Sequence, residues 1–170
     1  MLEAYLEVLE LCYFEVKEAF GGLRDENVWK RPAENLLSVG ELAGHIAYWE
    51  AVRFAGEGGE HPRPDLMKCK VSSPLIDHRF HYPPFTLTLS PSEQQSAMTA
   101  EQVLAELLRV HQESVAHFKK EDPDLEGHRE GWPPEQTYGV FLRYNTFHVA
   151  YHAGQIYSAR HLLGEVTPDN

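Results

Sequence analysis

The sequence predicts an all-α protein, specifically a bundle of four helices. Four segments of the 170-residue chain repeat apolar residues at intervals of three and four, which is the helical period. Two of these segments open with a capping box, in which a Ser or Thr and a Glu or Gln three residues later each bond the other's backbone amide. No segment sustains the alternation of polar and apolar residues that would predict a sheet.

The first two helices lie in the N-terminal third of the chain. The first is predicted over residues 1–20, and the Gly-Gly pair that begins at Gly21 ends it. The second is predicted over 39–55, directly after Ser38, which opens the capping box Ser-Val-Gly-Glu. The glycine-rich stretch that follows ends this helix.

The other two helices lie in the C-terminal half. A short helical turn is predicted to begin at Ser90, with proline at its first helical position. The third long helix is predicted over 100–120, where Thr99 opens the capping box Thr-Ala-Glu-Gln. The fourth is predicted over 137–163 and ends at Gly164, which makes it the longest element.

The connection over residues 57–89 is far longer than an antiparallel helix pair needs. We therefore expect it to cross the length of the bundle, so that the second and third helices run parallel. The whole chain, 1–170, is predicted to form one domain, because its length supports one substantial core.

Composition narrows the classes of partner and the compartment. The net charge is −11, from 26 acidic and 15 basic residues, and no cluster of Lys and Arg is present. This disfavours nucleic acid and anionic membranes as partners. We expect a small-molecule substrate. Cys12 and Cys69 form neither a metal-ligand pair nor a disulfide framework, and Glu3 and Glu7 stand where a signal peptide would be basic. We expect a cytoplasmic protein.

A group of polar residues in the middle of the fourth helix forms the candidate metal site. Its inward stripe is apolar at both ends, but Asn145, His148, His152 and Gln155 occupy the middle. Histidines four residues apart share one helix face and can converge on one metal. His45 offers a third imidazole on the apolar face of the second helix. The alternative is a set of hydrogen-bonded core histidines, since one HxxxH spacing arises often by chance.

Neighbouring polar residues have two interpretations each. Asn145 and Gln155 either orient the ligands or substrate, or join helices through hydrogen bonds. His111, on the apolar stripe of the third helix, either lines the site or is a hydrogen-bonded core residue, and we favour the second. The tyrosines of the fourth helix are expected to pack between helices, although one near a metal could donate a proton: Tyr138, Tyr144, Tyr151 and Tyr157.

Several of these motifs together resemble the DinB/YfiT-like superfamily, whose members are classed as metalloenzymes. The specific part is one histidine on the second helix combined with HxxxH and Gly-Gln on the fourth. The matching segments are Trp29-Lys-Arg-Pro32, Ser38-Val-Gly-Glu-Leu-Ala-Gly-His45-Ile-Ala, His148-Val-Ala-Tyr-His152-Ala-Gly-Gln155-Ile and Arg160-His-Leu-Leu-Gly164.

The resemblance implies that His45, His148 and His152 are the ligands of one divalent metal, with Zn²⁺ preferred and Ni²⁺ or Fe²⁺ as alternatives. It also implies an up-down-down-up bundle and a homodimer. Three imidazoles would leave a coordination position open, which is typical of catalytic rather than structural sites. No carboxylate stands in the matched ligand positions, so a two-histidine, one-carboxylate iron oxygenase is disfavoured.

The reaction is less well defined than the site. Our leading interpretation is a metal-dependent transferase, in which a low-molecular-weight thiol is activated as thiolate and attacks an electrophile. The first alternative is a metal-dependent hydrolase that uses metal-bound hydroxide, for which the sequence offers no clear general acid. The second alternative is a stress protein that binds metal without turnover.

Overall fold

The computed structural model describes residues 2–56, 69–81, 90–128 and 133–168. Within these ranges the regular structure is helical, and the only β-contacts are two isolated bridges, so the all-α prediction is confirmed. The elements are four long helices, α1 (Leu2–Phe20), α3 (Val39–Ala55), α5 (Ala100–Glu121) and α6 (Tyr138–Leu162), two single turns, α2 (Asp25–Val28) and α4 (Glu93–Ser96), and a 3₁₀ turn over His78–Phe80.

The ends of the long helices agree with the sequence prediction to within one residue. Both predicted capping boxes are present, at Ser38 and at Thr99. The prediction for the short turn was wrong by two residues. Its cap is Ser92 rather than Ser90, because the Ser92 hydroxyl accepts the Gln95 amide at 3.3 Å while the Gln95 side chain bonds back. The α2 and 3₁₀ turns were not predicted.

Helices α3 and α5 run parallel, as the long connection predicted. At their starts, the Trp29 ring lies directly on Gly40, and its Nε1 donates to the Met98 carbonyl at 3.0 Å. At their ends, the rings of Phe54 and Phe118 lie 4.7 Å apart. Residues 57–68 and 82–89 of the predicted crossover lie outside the described residues.

Helices α1 and α6 also run parallel. Near their starts, Arg143 donates to the Tyr5 hydroxyl at 3.5 Å. Near their ends, Arg160 donates to the Ala19 carbonyl at 2.7 Å. Helix α1 ends at the Gly-Gly pair that contains Gly22, and α6 ends just before Gly164. Both of these glycines have left-handed backbone, with φ of 73° at Gly22 and 74° at Gly164.

The direction of α1 is opposite to that of α5. Glu3 at the start of α1 pairs with Lys119 at the end of α5, at 3.1 Å. Asp25, just after α1, accepts the backbone amide of Ala100 at the start of α5, at 2.9 Å. The order along the chain is therefore up, down, down, up, as the resemblance implied.

One apolar core fills the space between the four long helices. The largest fully buried apolar side chains come from all four long helices and from the 69–81 segment: Leu9, Tyr13, Ile46, Tyr48, Phe54, Leu75, Phe80, Leu107, Phe118, Leu142 and Ile156.

No helix in the described ranges combines the length and the apolar character needed to cross a bilayer.

Candidate metal centre

Three imidazoles meet where α3 faces α6. His45 lies on α3, and His148 and His152 lie one turn apart on α6. Their ring centroids are 4.4 Å apart within α6, and 4.9 and 4.7 Å from His45 to His148 and His152. One nitrogen from each ring lies within 4.8 Å of the other two. The fold thus brings together the three histidines that the sequence singled out.

Two of the rings are oriented by hydrogen bonds on their far sides. His45 Nδ1 donates to the Phe80 carbonyl at 2.8 Å, and His152 Nδ1 donates to Gln155 Oε1 at 2.6 Å. The Gln155 amide in turn donates to the Tyr151 hydroxyl at 3.1 Å. Because Nδ1 carries the proton in both rings, each Nε2 keeps a lone pair for a ligand.

All three imidazoles are held in the neutral form. Burial, reinforced by repulsion from His152, lowers the pKa of His45 to about 3. Burial also lowers the pKa values of His148 and His152, and the Arg53 charge acts in the same direction on both. The neutral imidazole is the form that binds metal, so ligation at neutral pH requires no loss of a proton from these rings.

The donor set fits a divalent metal. His148 Nδ1 is buried and has no hydrogen-bond partner among the described residues, a state that is costly for a polar atom. A tetrahedral ion with Zn–N bonds of about 2.0–2.1 Å separates its ligand nitrogens by about 3.4 Å. The three ring nitrogens lie within 4.8 Å of one another, so they would have to approach by about 1.4 Å or less to reach that separation. In the described part of the chain the cluster contains neither carboxylate nor thiol.

A buried cation lies next to the three histidines. Arg53 Nη1 donates to Asn145 Oδ1 at 3.2 Å, and the guanidinium stacks 5.0 Å from the Trp49 ring and 4.8 Å from the Tyr144 ring. Burial lowers the pKa of Arg53 to about 10, partly offset by Tyr144 and Glu50, so the side chain is still charged at neutral pH. This fixed positive charge favours an anionic ligand nearby.

Asn145 and His111 both belong to a buried network behind the site. Asn145 accepts from Arg53 and donates to Glu50 Oε2 at 2.6 Å, which makes it a bridge between α3 and α6. His111 binds Glu50 Oε1 through Nδ1 at 2.7 Å and Glu10 through Nε2 at 3.1 Å. His111 is thus a hydrogen-bonded core residue, the interpretation favoured from sequence, whereas Gln155 contacts the site directly.

Two tyrosines contradict the prediction that they pack between helices. Tyr144 and Tyr151 are 51% and 53% exposed, while Tyr138 and Tyr157 pack partly buried against the core. The Tyr144 ring stacks 6.2 Å from the His148 ring, and the Tyr151 ring lies 5.1 Å from the His152 ring. The sequence feature that the prediction overlooked is that no Asp, Glu, Lys or Arg stands between Tyr144 and Tyr151.

Two glycines of α3 let aromatic rings lie against its backbone. A Cβ on Gly44 would come within 2.5 Å of the Phe80 ring, and one on Gly40 within 2.6 Å of the Trp29 ring. The same Phe80 supplies the carbonyl that orients His45. The glycine one residue before this histidine therefore sets the ring's hydrogen-bond partner as well as the helix packing.

Replacing Gly44 with alanine is expected to displace Phe80 and release His45 from its carbonyl. Since loss of such an orienting partner typically weakens metal binding about 10- to 100-fold, we expect a loss in that range in a chelator-competition titration. Gly154→Ala on α6 is the matched control, because a Cβ there meets nothing within 4 Å. Equal affinities of the two variants would contradict this role for Gly44.

Comparison with known proteins identifies the fold family. The family model described as the DinB superfamily matches residues 9–156, which is most of the chain and includes all three histidines. A search of curated proteins returns no match.

Proposed function

This chain belongs to the DinB superfamily, and from that premise we propose that it holds one divalent metal through His45, His148 and His152 and activates a small thiol for transfer. Zn²⁺ is the expected ion, and the three-nitrogen donor set also accommodates Ni²⁺ or Fe²⁺. The reaction class is S-transfer from a low-molecular-weight thiol to an electrophile.

The observation that carries this proposal is a set of three neutral donors beside a buried positive charge. No carboxylate or thiolate of the described residues stands among the donors, and the buried Arg53 beside them adds positive charge. An anionic ligand is therefore favoured over a neutral one at this position. When bound, the metal supplies Lewis acidity, which lowers the pKa of a thiol or water in its open position.

The surrounding residues position the reactants. The Phe80 carbonyl and the Gln155 amide hold two imidazoles in the tautomer that ligates. The exposed rings of Tyr144 and Tyr151 flank the site and offer apolar contact to an electrophile. In the transfer, sulfur forms a bond to carbon, the leaving group departs with its electron pair, and the thiol proton passes to solvent.

A hydrolase is the second candidate, and the Tyr151 hydroxyl is the observation in its favour. This hydroxyl is held by Gln155 beside His152 and could donate a proton to a leaving group. The carboxylate of the adjoining network, Glu50, already accepts from His111 and Asn145 and is poorly placed to act as a base. S-transfer needs neither group, so the site favours it.

The test uses protein loaded with one equivalent of Zn²⁺ or Co²⁺. We expect it to accelerate the reaction of cysteine or glutathione with 1-chloro-2,4-dinitrobenzene above the rate of the thiol alone. In the Co²⁺ form, adding the thiol should produce a thiolate-to-metal charge-transfer band. His152→Ala should lose both signals, and His117→Ala, a partly buried histidine of α5 outside the three-histidine cluster, should keep both.

Other outcomes contradict S-transfer. Cleavage of 4-nitrophenyl acetate that is metal-dependent but needs no thiol would assign the chain to the hydrolases. Stoichiometric metal with no thiol band and no turnover of either compound would leave a metal-binding protein without activity.

A further inference from the structure

We propose that a groove beside the three histidines binds the alkyl chain of an uncharged substrate. The groove lies between the segment 32–37 and the facing sides of α3 and α6, and it encloses about 280 Å³. That size is close to the lower end for small-molecule pockets.

The groove continues the same two helix faces that carry the histidines. On α3, Leu42 stands three residues before His45, and on α6, Gln155 stands three residues after His152, with Leu162 two turns further. Gln155 both lines the groove and holds His152. With a rise of 1.5 Å per residue, the groove begins about one turn from the histidines and runs about 10 Å along α6.

The chemistry of the lining selects an apolar, uncharged group. Four leucines face the groove, and none of its lining residues is ionisable, in a chain whose net charge is −11. Leu36 and Leu162 remain 42% and 64% exposed, so a ligand that covers them gains apolar burial. The Ser158 hydroxyl at the margin already donates to a backbone carbonyl of its own helix, at 2.9 Å.

The position and the lining of the groove together indicate which class of substrate the proposed S-transferase would use. This inference therefore rests on the proposed function. The substrate is an alkyl electrophile whose reactive carbon lies at the histidines and whose chain lies along Leu42 and Leu162. For a 1-bromoalkane the balance is simple: the C–S bond forms, the C–Br bond breaks, bromide leaves with the bonding pair, and the thiol proton passes to solvent.

The groove is tested first on metal-free protein, so that the result does not depend on metal or turnover. We expect 1-butanol, 1-hexanol and 1-octanol to shift the NMR signals of the Gln155 side-chain amide, with affinity rising about four-fold per buried methylene. Ser158→Phe, which places a ring in the groove, should weaken 1-octanol at least ten-fold. Ala150→Phe, a change at another exposed position of α6, should not. Leu162→Ala should weaken 1-octanol severalfold without disturbing the core.

The second arm uses Zn²⁺-loaded protein and cysteine. The value of kcat/KM should rise from 1-bromobutane to 1-bromooctane, and Ser158→Phe should remove the rise. Alcohol affinity that is independent of chain length, or unchanged in Ser158→Phe, overturns the groove proposal. So does a 1-octanol titration in which light scattering shows a dimer dissociating, because the groove would then be an interface between copies. Normal alcohol binding with turnover of 1-chloro-2,4-dinitrobenzene but of neither bromide overturns the alkyl electrophile as substrate and leaves S-transfer standing. Normal alcohol binding with no turnover of either bromide or of 1-chloro-2,4-dinitrobenzene supports the groove and refutes the proposed function.

Discussion

Replacing His152 with alanine is expected to abolish stoichiometric metal binding. The three imidazoles are the only donors in the described cluster, so the loss of His152 leaves two neutral ligands and removes the donor to Gln155 Oε1. The loss of affinity should exceed the roughly 100-fold that the removal of an orienting partner can cost. Elemental analysis of protein purified without added metal, before and after dialysis, measures the effect, and His148→Ala should behave alike.

Two other histidine variants separate ligation from general damage. His117→Ala should retain one equivalent of metal, because His117 lies outside the three-histidine cluster. His111→Ala should also retain it, although this variant unfolds more easily, since its partners Glu50 and Glu10 belong to the network behind the site. One metal ion per chain in His152→Ala would refute the assignment of ligands.

Replacing Glu50 with glutamine is expected to destabilise the fold by about 3 kcal/mol, the low end for breaking a buried ionic network. The Glu50 carboxylate is fully buried on α3 and accepts from His111 on α5 and Asn145 on α6. A glutamine has a single side-chain oxygen for these two donors, and its own N–H groups would face one of them, so one of the two hydrogen bonds is lost. Chemical denaturation measures the loss. Glu106→Gln, which breaks a surface pair with Arg109, should cost less than about 1 kcal/mol.

The same network predicts a pH dependence of stability. Burial alone would lower the pKa of His111, but the charges and hydrogen bonds of Glu50 and Glu10 outweigh burial and raise it above the ordinary 6.5. The stabilisation is therefore fully present below the unfolded-state pKa and is lost as pH rises through the higher folded-state pKa. Between about pH 6 and pH 9, the free energy of unfolding should fall more in the native protein than in Glu50→Gln. Parallel profiles would contradict the charged pair.

The helices were predictable because their signals are local. A cap such as Ser38 and a stop such as Gly164 act within one turn of their own backbone, so the sequence places helix ends to within a residue. The topology followed from the length of one connection. The three histidines were predictable from the HxxxH spacing and from their place on the inward faces of two helices, both of which are properties of single helices. The resemblance to the DinB/YfiT-like superfamily supported the same three residues.

The rest of the site depends on contacts between distant segments. Glu50 and Arg53 look like ordinary surface charges on α3, yet both are buried, because Asn145 and His111 from other helices satisfy them. Nothing in the local pattern reveals that Phe80, from the crossover, reaches His45. From sequence, Gln155 and Asn145 each had two interpretations, to orient a ligand or to join helices. The observed hydrogen bonds show that Gln155 orients His152 and that Asn145 joins α3 and α6. The homodimer stays a prediction.

We propose that three imidazoles hold one metal ion, and X-ray absorption at the zinc edge can count them. For protein loaded with one equivalent of Zn²⁺, we expect three imidazole nitrogens at about 2.0–2.1 Å and one further light atom, with sulfur replacing that atom when cysteine is added. Coordination by oxygen alone, or by fewer than three imidazoles, would contradict it.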